Sequence, residues 1–380
     1  MHCAPLQEAF GPGLTGDRIA ISRQGGNVTT REHIVVTGCA GFIGSHLTDR
    51  LLADGHEVVG IDSFEDYYPR AIKEANLEGA RANPAFTLHE ANILELAAEA
   101  APGGPDGGGA SGSALAALLR GCACVYHLAA QAGVRASWGS SFDVYTRNNV
   151  LATQQLLEAC VAAEVPKVIY ASSSSVYGDQ DELPLREDMA PRPRSPYGVT
   201  KLAGEHLCGL YHANHGLDTV ALRFFTVYGP RQRPDMAFHK FIKAMLEGRE
   251  IVIYGDGTQT RDFTYVEDIV DGLALAQKAP AGAVMNLGGG NRVSLNEAIA
   301  TLGEVVGVEP KIARQPMEPG DVRDTWADVS RAVELIGYRP MTKLVGGMTQ
   351  EYAWLAAKQG VIQRCRRHRI SRSSPRTARN

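Results

Sequence analysis

Ile34–Gly44, IVVTGCAGFIG, is the stretch that decides the fold. Ile34–Thr37 reads as a buried strand, because a short apolar, β-branched run suits a strand covered on both faces. Gly38, Gly41 and Gly44 then turn the chain tightly into a helix, where Ile43, Leu47 and Leu51 recur every four residues. Such a turn sets backbone N–H groups and a helix N-terminus against a pyrophosphate. Asp62 follows 18 residues after Gly44, at the end of a second apolar run, Glu57–Asp62. A carboxylate there accepts from ribose hydroxyls and repels a 2′-phosphate. The pattern therefore predicts NAD rather than NADP as cofactor, held by Gly38, Gly41, Phe42, Ile43, Gly44 and Asp62.

Further strand-like runs are Phe86–Glu90, Cys124–Ala129, Lys167–Ser172 and Thr219–Phe224, with helical patterns between them such as Gln154–Val161. Strand–helix alternation predicts an α/β fold with a Rossmann-type, doubly wound parallel sheet. After about residue 230 the pattern is mixed and broken by Gly255-Asp256-Gly257 and Pro319-Gly320-Asp321. A smaller mixed α/β substrate-binding domain is expected over 231–360, with 31–230 mainly the NAD-binding domain and 262–280 returning to it. Residues 1–30 read as a disordered extension, 101–113 (APGGPDGGGASGS) as a surface loop insertion and 361–380 as a basic, solvated tail.

Composition narrows the class. At 380 residues with 44% hydrophobic and 21% charged side chains, the chain is too apolar to be disordered. Net charge is −4, but the tail alone holds seven arginines and no acid, which leaves the body between the two ends at −11. No nucleic-acid or membrane partner is expected of such a body; the tail could meet RNA or an anionic membrane. Seven scattered cysteines without a C-x-x-C pair, and no secretory or membrane-spanning run, predict a cytoplasmic setting. No metal site is expected: H-E-x-x-H is absent, and His212 and His215 read as a solvated helix face.

The second constellation is Ser172–Ser175 followed by Tyr197-Gly-Val-Thr-Lys201. Tyrosine and lysine four apart share one helix face. A free tyrosine ionises near 10, so a lysine ammonium and the positive nicotinamide ring are expected to lower it into a useful range. A serine at the strand end can hydrogen-bond the substrate oxygen.

These blocks, with HLAAQAGVR, ASSSSVYG, SPYGVTKLAGE, LRFFTVYGPRQRPDMAF and GDGTQTRDFTYVEDI, resemble the extended short-chain dehydrogenase/reductases, and within them the nucleotide-sugar epimerases. The resemblance runs over about 33–356. It implies Tyr197 as catalytic base, Lys201 as its partner and Ser173 as the catalytic Ser/Thr. It also implies cofactor contacts from Asn92, Ala129, Ala130 and Asn149, with Tyr197 and Lys201 reaching the cofactor too. The implied chemistry is oxidation of a UDP-sugar at C4 and return of the hydrogen on the other face. The implied assembly is a homodimer.

Related dehydratases and decarboxylases usually carry Glu at the position matching Ser175. Ser174 and Ser175 provide no acid–base group here, so elimination lacks its catalyst and epimerisation is favoured. Thr226 and Arg233, in TVYGPRQRPDM, are similar to the UDP-glucuronate 4-epimerase pattern, which implies a sugar carboxylate facing Arg233. UDP-glucose/UDP-galactose epimerase remains the alternative, and a non-catalytic NAD-binding scaffold a more distant one. Arg135, Arg261 and Arg323, with Ser174 and Ser175, complete the implied substrate contacts. One departure is Ala91-Asn92, where the family usually has Gly-Asp; the Asn92 carbonyl is expected to accept from the adenine amino group.

Overall fold

The computed structural model describes residues 32–101, 110–317 and 320–372, with side chains through Lys358. Twelve strands are present among them: β1 (His33–Thr37), β2 (Glu57–Asp62), β3 (Phe86–Glu90), β4 (Cys124–His127), β5 (Lys167–Ser173), β6 (Asp218–Phe224), β7 (Thr226–Tyr228), β8 (Ile251–Tyr254), β9 (Thr260–Tyr265), β10 (Val284–Leu287), β11 (Asn291–Ser294) and β12 (Ile312–Gln315).

Seven of them form one parallel sheet in the order β10-β6-β5-β4-β1-β2-β3. The near-continuous apolar runs have a simple cause: alternate side chains enter two different cores. Ile34 and Val36 join the first helix (Phe42–Ala53) on one face, whereas Val35 joins the helix Ala152–Ala162 on the other. β1 pairs with both β2 and β4, so the direction of winding reverses there. Ligands of open α/β sheets bind in the crevice that this reversal opens at the strands' carboxyl ends.

The doubly wound sheet is as expected, and two details differ. Cys124–Ala129 stops being strand at His127. The seventh strand, β10, comes from far along the chain, Val284–Leu287, in the stretch after residue 230 where only a mixed pattern was expected. The helix Val266–Leu275 packs on the first helix. The remaining strands make a three-stranded sheet, β11-β9-β7, and a parallel pair, β12-β8.

The C-terminal helix runs Leu344–Arg372, so the first part of the basic tail continues a helix where an unstructured tail was expected. Val361–Arg372 contains neither Pro nor Gly and is rich in arginine, which favours helix. The expectations for residues 1–30, for 102–109 of the insertion and for 373–380 lie outside the described residues.

Candidate active site

A cleft runs along the carboxyl ends of β1, β2, β4 and β5, from the Gly38–Gly44 turn to Tyr197, Lys201 and Arg233. Gly38 has φ +72°, and a Cβ on Gly44 would lie 2.1 Å from the Gly38 carbonyl oxygen, so the turn tolerates no side chain at either position. Gly41 begins the first helix and offers no capping side chain, which leaves first-turn N–H groups open to a ligand. Asp62 braces the turn: its oxygens accept from the N–H groups of Ala40 (3.0 Å) and Phe64 (2.8 Å) while the side chain lines the cleft. A carboxylate so fixed, beside open helix N–H groups, fits the ribose and pyrophosphate of NAD.

Further along the wall lie Ala129 and Ala130, both expected there. Asn92 also lines the cleft, but its side-chain oxygen caps the helix Ile93–Ala98 by accepting from Leu94 N–H at 2.9 Å. That acceptor is therefore shared, in place of the free carbonyl expected for adenine.

Asn149 requires a larger correction. It is buried behind the wall, and Asn148 faces the cleft instead. The Asn149 amide accepts from Gln131 N–H (2.7 Å) and donates to Gln131 O and Thr200 Oγ1 (3.0 Å each). Its carbonyl accepts from Thr153 Oγ1, which contacts His127 Nε2 at 3.0 Å, and His127 Nδ1 contacts Thr37 Oγ1 at 2.8 Å. Burial takes His127 down to about 3, so the imidazole is neutral in this chain of contacts. No sequence motif gives a role to Thr37, His127 or Thr153, because each is an ordinary polar residue until the fold lines them up.

Tyr197 sits in the first turn of the helix Pro196–His215. Ser195 caps that helix by accepting from Gly198 N–H at 3.1 Å. Gly198 packs against the Ser175 carbonyl, which sets the Ser174–Val176 turn against the helix start and brings Ser173 beside the phenol. Ser173 Oγ also accepts from Ser175 N–H at 3.1 Å, and Ser174 and Ser175 are half-buried in this turn. Lys201 donates to the Ala171 carbonyl at 2.9 Å, and burial takes its ammonium down to about 8.

Burial raises Tyr197, and the opposing influences are the Arg233 charge and then Ser173; Lys201 is not among them. Arg233 is a cation that favours the phenolate. It lines the cleft together with Tyr67, of the run Asp66-Tyr67-Tyr68, with its guanidinium 5.8 Å from that ring's centre.

Thr226 opens β7, where it is half-buried and stands in register with Phe263 of β9; it does not line this cleft. The other cations bind their own chain. Arg261 donates to the carbonyls of Thr260, Val322 and Arg323 at 2.7–2.9 Å. Arg135 pairs with Asp321 (2.7 Å) and covers the Tyr254 ring at 4.0 Å, while Arg323 is 74% exposed beside Asp324. None of these three lines the cleft described here. Lys73, which no motif singled out, does line it; it donates to Glu65 O at 2.8 Å and feels the Asp62 charge. His212 is half-buried and contacts Leu217 O at 3.0 Å, a helix-end role in place of the solvated face expected.

Sheet order, glycine turn and a Tyr/Lys pair at the sheet's carboxyl edge define a dinucleotide-dependent α/β protein of the short-chain dehydrogenase/reductase type. Comparison with known proteins agrees. The profile of the NAD dependent epimerase/dehydratase family matches residues 34–288, and the chain belongs to that family. A crystal structure of UDP-glucuronic acid 4-epimerase from Bacillus cereus, in complex with UDP-glucuronic acid and NAD, is similar at 44% identity and TM-score 0.79, covering 86% of this chain and 99% of that one. An uncharacterized UDP-glucose epimerase of Bacillus subtilis (strain 168) is 42% identical over 85% of this chain and 98% of its own length. The UDP-glucuronate 4-epimerase of Thermodesulfobacterium geofontis (strain OPF15) is 36% identical, over 85% and 95%.

Proposed function

We propose that this chain is an NAD-dependent UDP-sugar 4-epimerase that interconverts UDP-glucuronate and UDP-galacturonate. The observation that carries the reading is the meeting of Tyr197, Lys201 and a cationic Arg233 at one end of a cleft whose other end is the glycine turn with Asp62, with Ser173 beside the Tyr197 phenol. NAD, when bound, supplies the reversible two-electron oxidation of the sugar at C4. Tyr197 takes the O4 proton as the alcohol becomes a ketone and returns it when the ketone is reduced on its other face. Ser173 hydrogen-bonds the same oxygen, and Lys201, fixed on Ala171 O, holds the cofactor side of the site. The nearby carboxylates Glu205 and Asp235 are both tied up in ion pairs, and Ser174 and Ser175 carry no acid. The absence of an acid at Ser174 and Ser175, where related dehydratases carry theirs, supports epimerisation.

Arg233 supports the uronate as substrate because its fork matches a planar carboxylate. UDP-glucose is the second reading, favoured by the fact that two of the three guanidinium nitrogens of Arg233 already bind Asp235. Incubation with each sugar nucleotide, followed by chromatographic separation of products, decides between them. UDP-galacturonate formed faster than UDP-galactose is expected; equal or faster turnover of UDP-glucose overturns the uronate reading. Release of CO₂ or of a 4-keto-6-deoxy sugar overturns epimerisation.

The same reading includes a homodimer. Leu151 precedes the helix Ala152–Ala162, and Val199 and Leu210 share one face of the neighbouring helix; all three are exposed. A cytoplasmic setting is supported by Cys39, Cys122, Cys124, Cys160 and Cys208, which are buried free thiols. No helix among the described residues is long and apolar enough to cross a membrane.

A further inference from the structure

Arg233 does not wait in the cleft as a bare cation. Its Nε and Nη2 donate to Oδ1 and Oδ2 of Asp235, both at 2.9 Å, in the two-pronged geometry in which a guanidinium receives any carboxylate. Asp235 Oδ2 also accepts from the Tyr67 hydroxyl at 3.2 Å, and the Tyr67 ring stands under the guanidinium. Arg233, Asp235 and Tyr67 therefore form one closed cluster in the cleft wall. Of the three guanidinium nitrogens of Arg233, only Nη1 makes no hydrogen bond among the described residues.

From this arrangement we infer that Asp235 is a specificity-determining residue, an internal carboxylate that competes with the carboxylate of a uronate substrate for Arg233. The inference rests on the uronate reading given above. A uronate reaches Arg233 either through Nη1, leaving two carboxylates on one guanidinium, or by displacing Asp235. Both routes cost affinity, through like-charge repulsion in a half-buried site or through loss of the Asp235 bonds. A neutral sugar meets neither cost. Asp235 thereby narrows the preference for uronate that a free arginine would impose, and keeps the hold on a product that must leave from becoming too tight. Tyr67 steers the competition, because its hydroxyl is bonded to the oxygen that Nη2 also uses.

The test is Asp235→Asn in the full chain with bound NAD, with kcat and KM measured on UDP-glucuronate and on UDP-glucose. Asparagine keeps an acceptor for Arg233 and for Tyr67 while losing the charge. The expected result is a rise of about tenfold or more in the ratio of kcat/KM for uronate over neutral sugar, carried by a lower KM for the uronate. A ratio that stays the same or falls overturns the inference, since an Asp235 that merely positions Arg233 weakens uronate binding when its charge is lost. Tyr67→Phe is the second variant. It releases one of the bonds that hold Asp235 in place, and the ratio is expected to move in the same direction by a smaller factor; movement the other way counts against the inference. If the unmodified protein does not epimerise UDP-glucuronate at all, the uronate reading itself fails, and that result is distinct from a ratio that Asp235→Asn leaves unmoved.

Discussion

Glu351 offers the sharpest physical test of how the segment that carries Arg233 is held. It lies on the helix Leu344–Arg372 with 0% of its surface exposed. One oxygen accepts from Gly229 N–H at 2.8 Å, and the other has no partner among the described residues. Burial pushes its carboxyl up to about 8, against an ordinary value near 4.5, with the Gly229 bond opposing. The folded state therefore binds more protons than the unfolded chain between pH 4.5 and 8. The stability that the protonated acid contributes is fully present below about 4.5 and lost as pH rises through about 8. A rise of that size corresponds, after relaxation around the buried charge, to on the order of 2–4 kcal/mol. Glu351→Gln keeps an acceptor for Gly229 and removes the titration. The two proteins should melt alike near pH ~5, and by pH ~8.5 the variant should melt about 2–5 °C higher. Melting curves by fluorescence across roughly pH 5–9 provide the measurement. Parallel dependence of Tm on pH in the two proteins would show that Glu351 does not titrate on unfolding, and the account given of its burial would be wrong.

Arg223 and Glu205 form a buried ion pair with two hydrogen bonds at 2.7 and 2.9 Å, to which Ser172 adds a third contact. Glu205→Ala should cost ~3–5 kcal/mol in denaturant unfolding because it strands the Arg223 charge, whereas replacing both residues by Met should recover most of the loss. Gly44→Ala puts a methyl group 2.1 Å from a backbone oxygen, so the turn must move; NAD affinity measured by titration should fall at least about tenfold. Arg233→Ala removes the charge that opposes the effect of burial on Tyr197. The acidic limb of the kcat/KM profile should move to higher pH, and a limb that stays in place contradicts the electrostatic role.

What can be read from sequence is local. The turn from Ile34 to Gly44 declares itself because strand, glycines and helix start occupy one short run, and each glycine answers to an immediate steric demand. Tyr197 and Lys201 are visible because helical spacing alone puts them on one face. β10 is not, since four residues carry no period and only the sheet edge at β6 gives them a partner. Asn149 is misplaced for the same kind of reason: an asparagine one residue from the cleft wall looks like its neighbour Asn148 until the backbone turns it inward. Arginines are hardest of all. Arg135, Arg261 and Arg323 carry the donors an anionic ligand needs, and the donors of the first two satisfy Asp321 or the carbonyls of 322 and 323. Spacing does not distinguish the two uses; only the acceptor does.

That distinction bears on how an acidic protein holds an anionic substrate. With the body at −11, long-range attraction works against a sugar nucleotide, and affinity must come from a few donors fixed at short range. The described cleft supplies open N–H groups at the first helix, which carry no net charge to balance, Lys73, which donates to Glu65 O, and Arg233, whose charge is largely balanced by Asp235. Lys201 adds an ammonium that burial takes down to about 8 and that one bond ties to Ala171 O. A site built this way attracts weakly at a distance and discriminates at contact; if Asp235 competes for Arg233 as proposed, the choice between a carboxylate and a hydroxymethyl group falls to the Arg233–Asp235–Tyr67 cluster rather than to the charge of the protein as a whole.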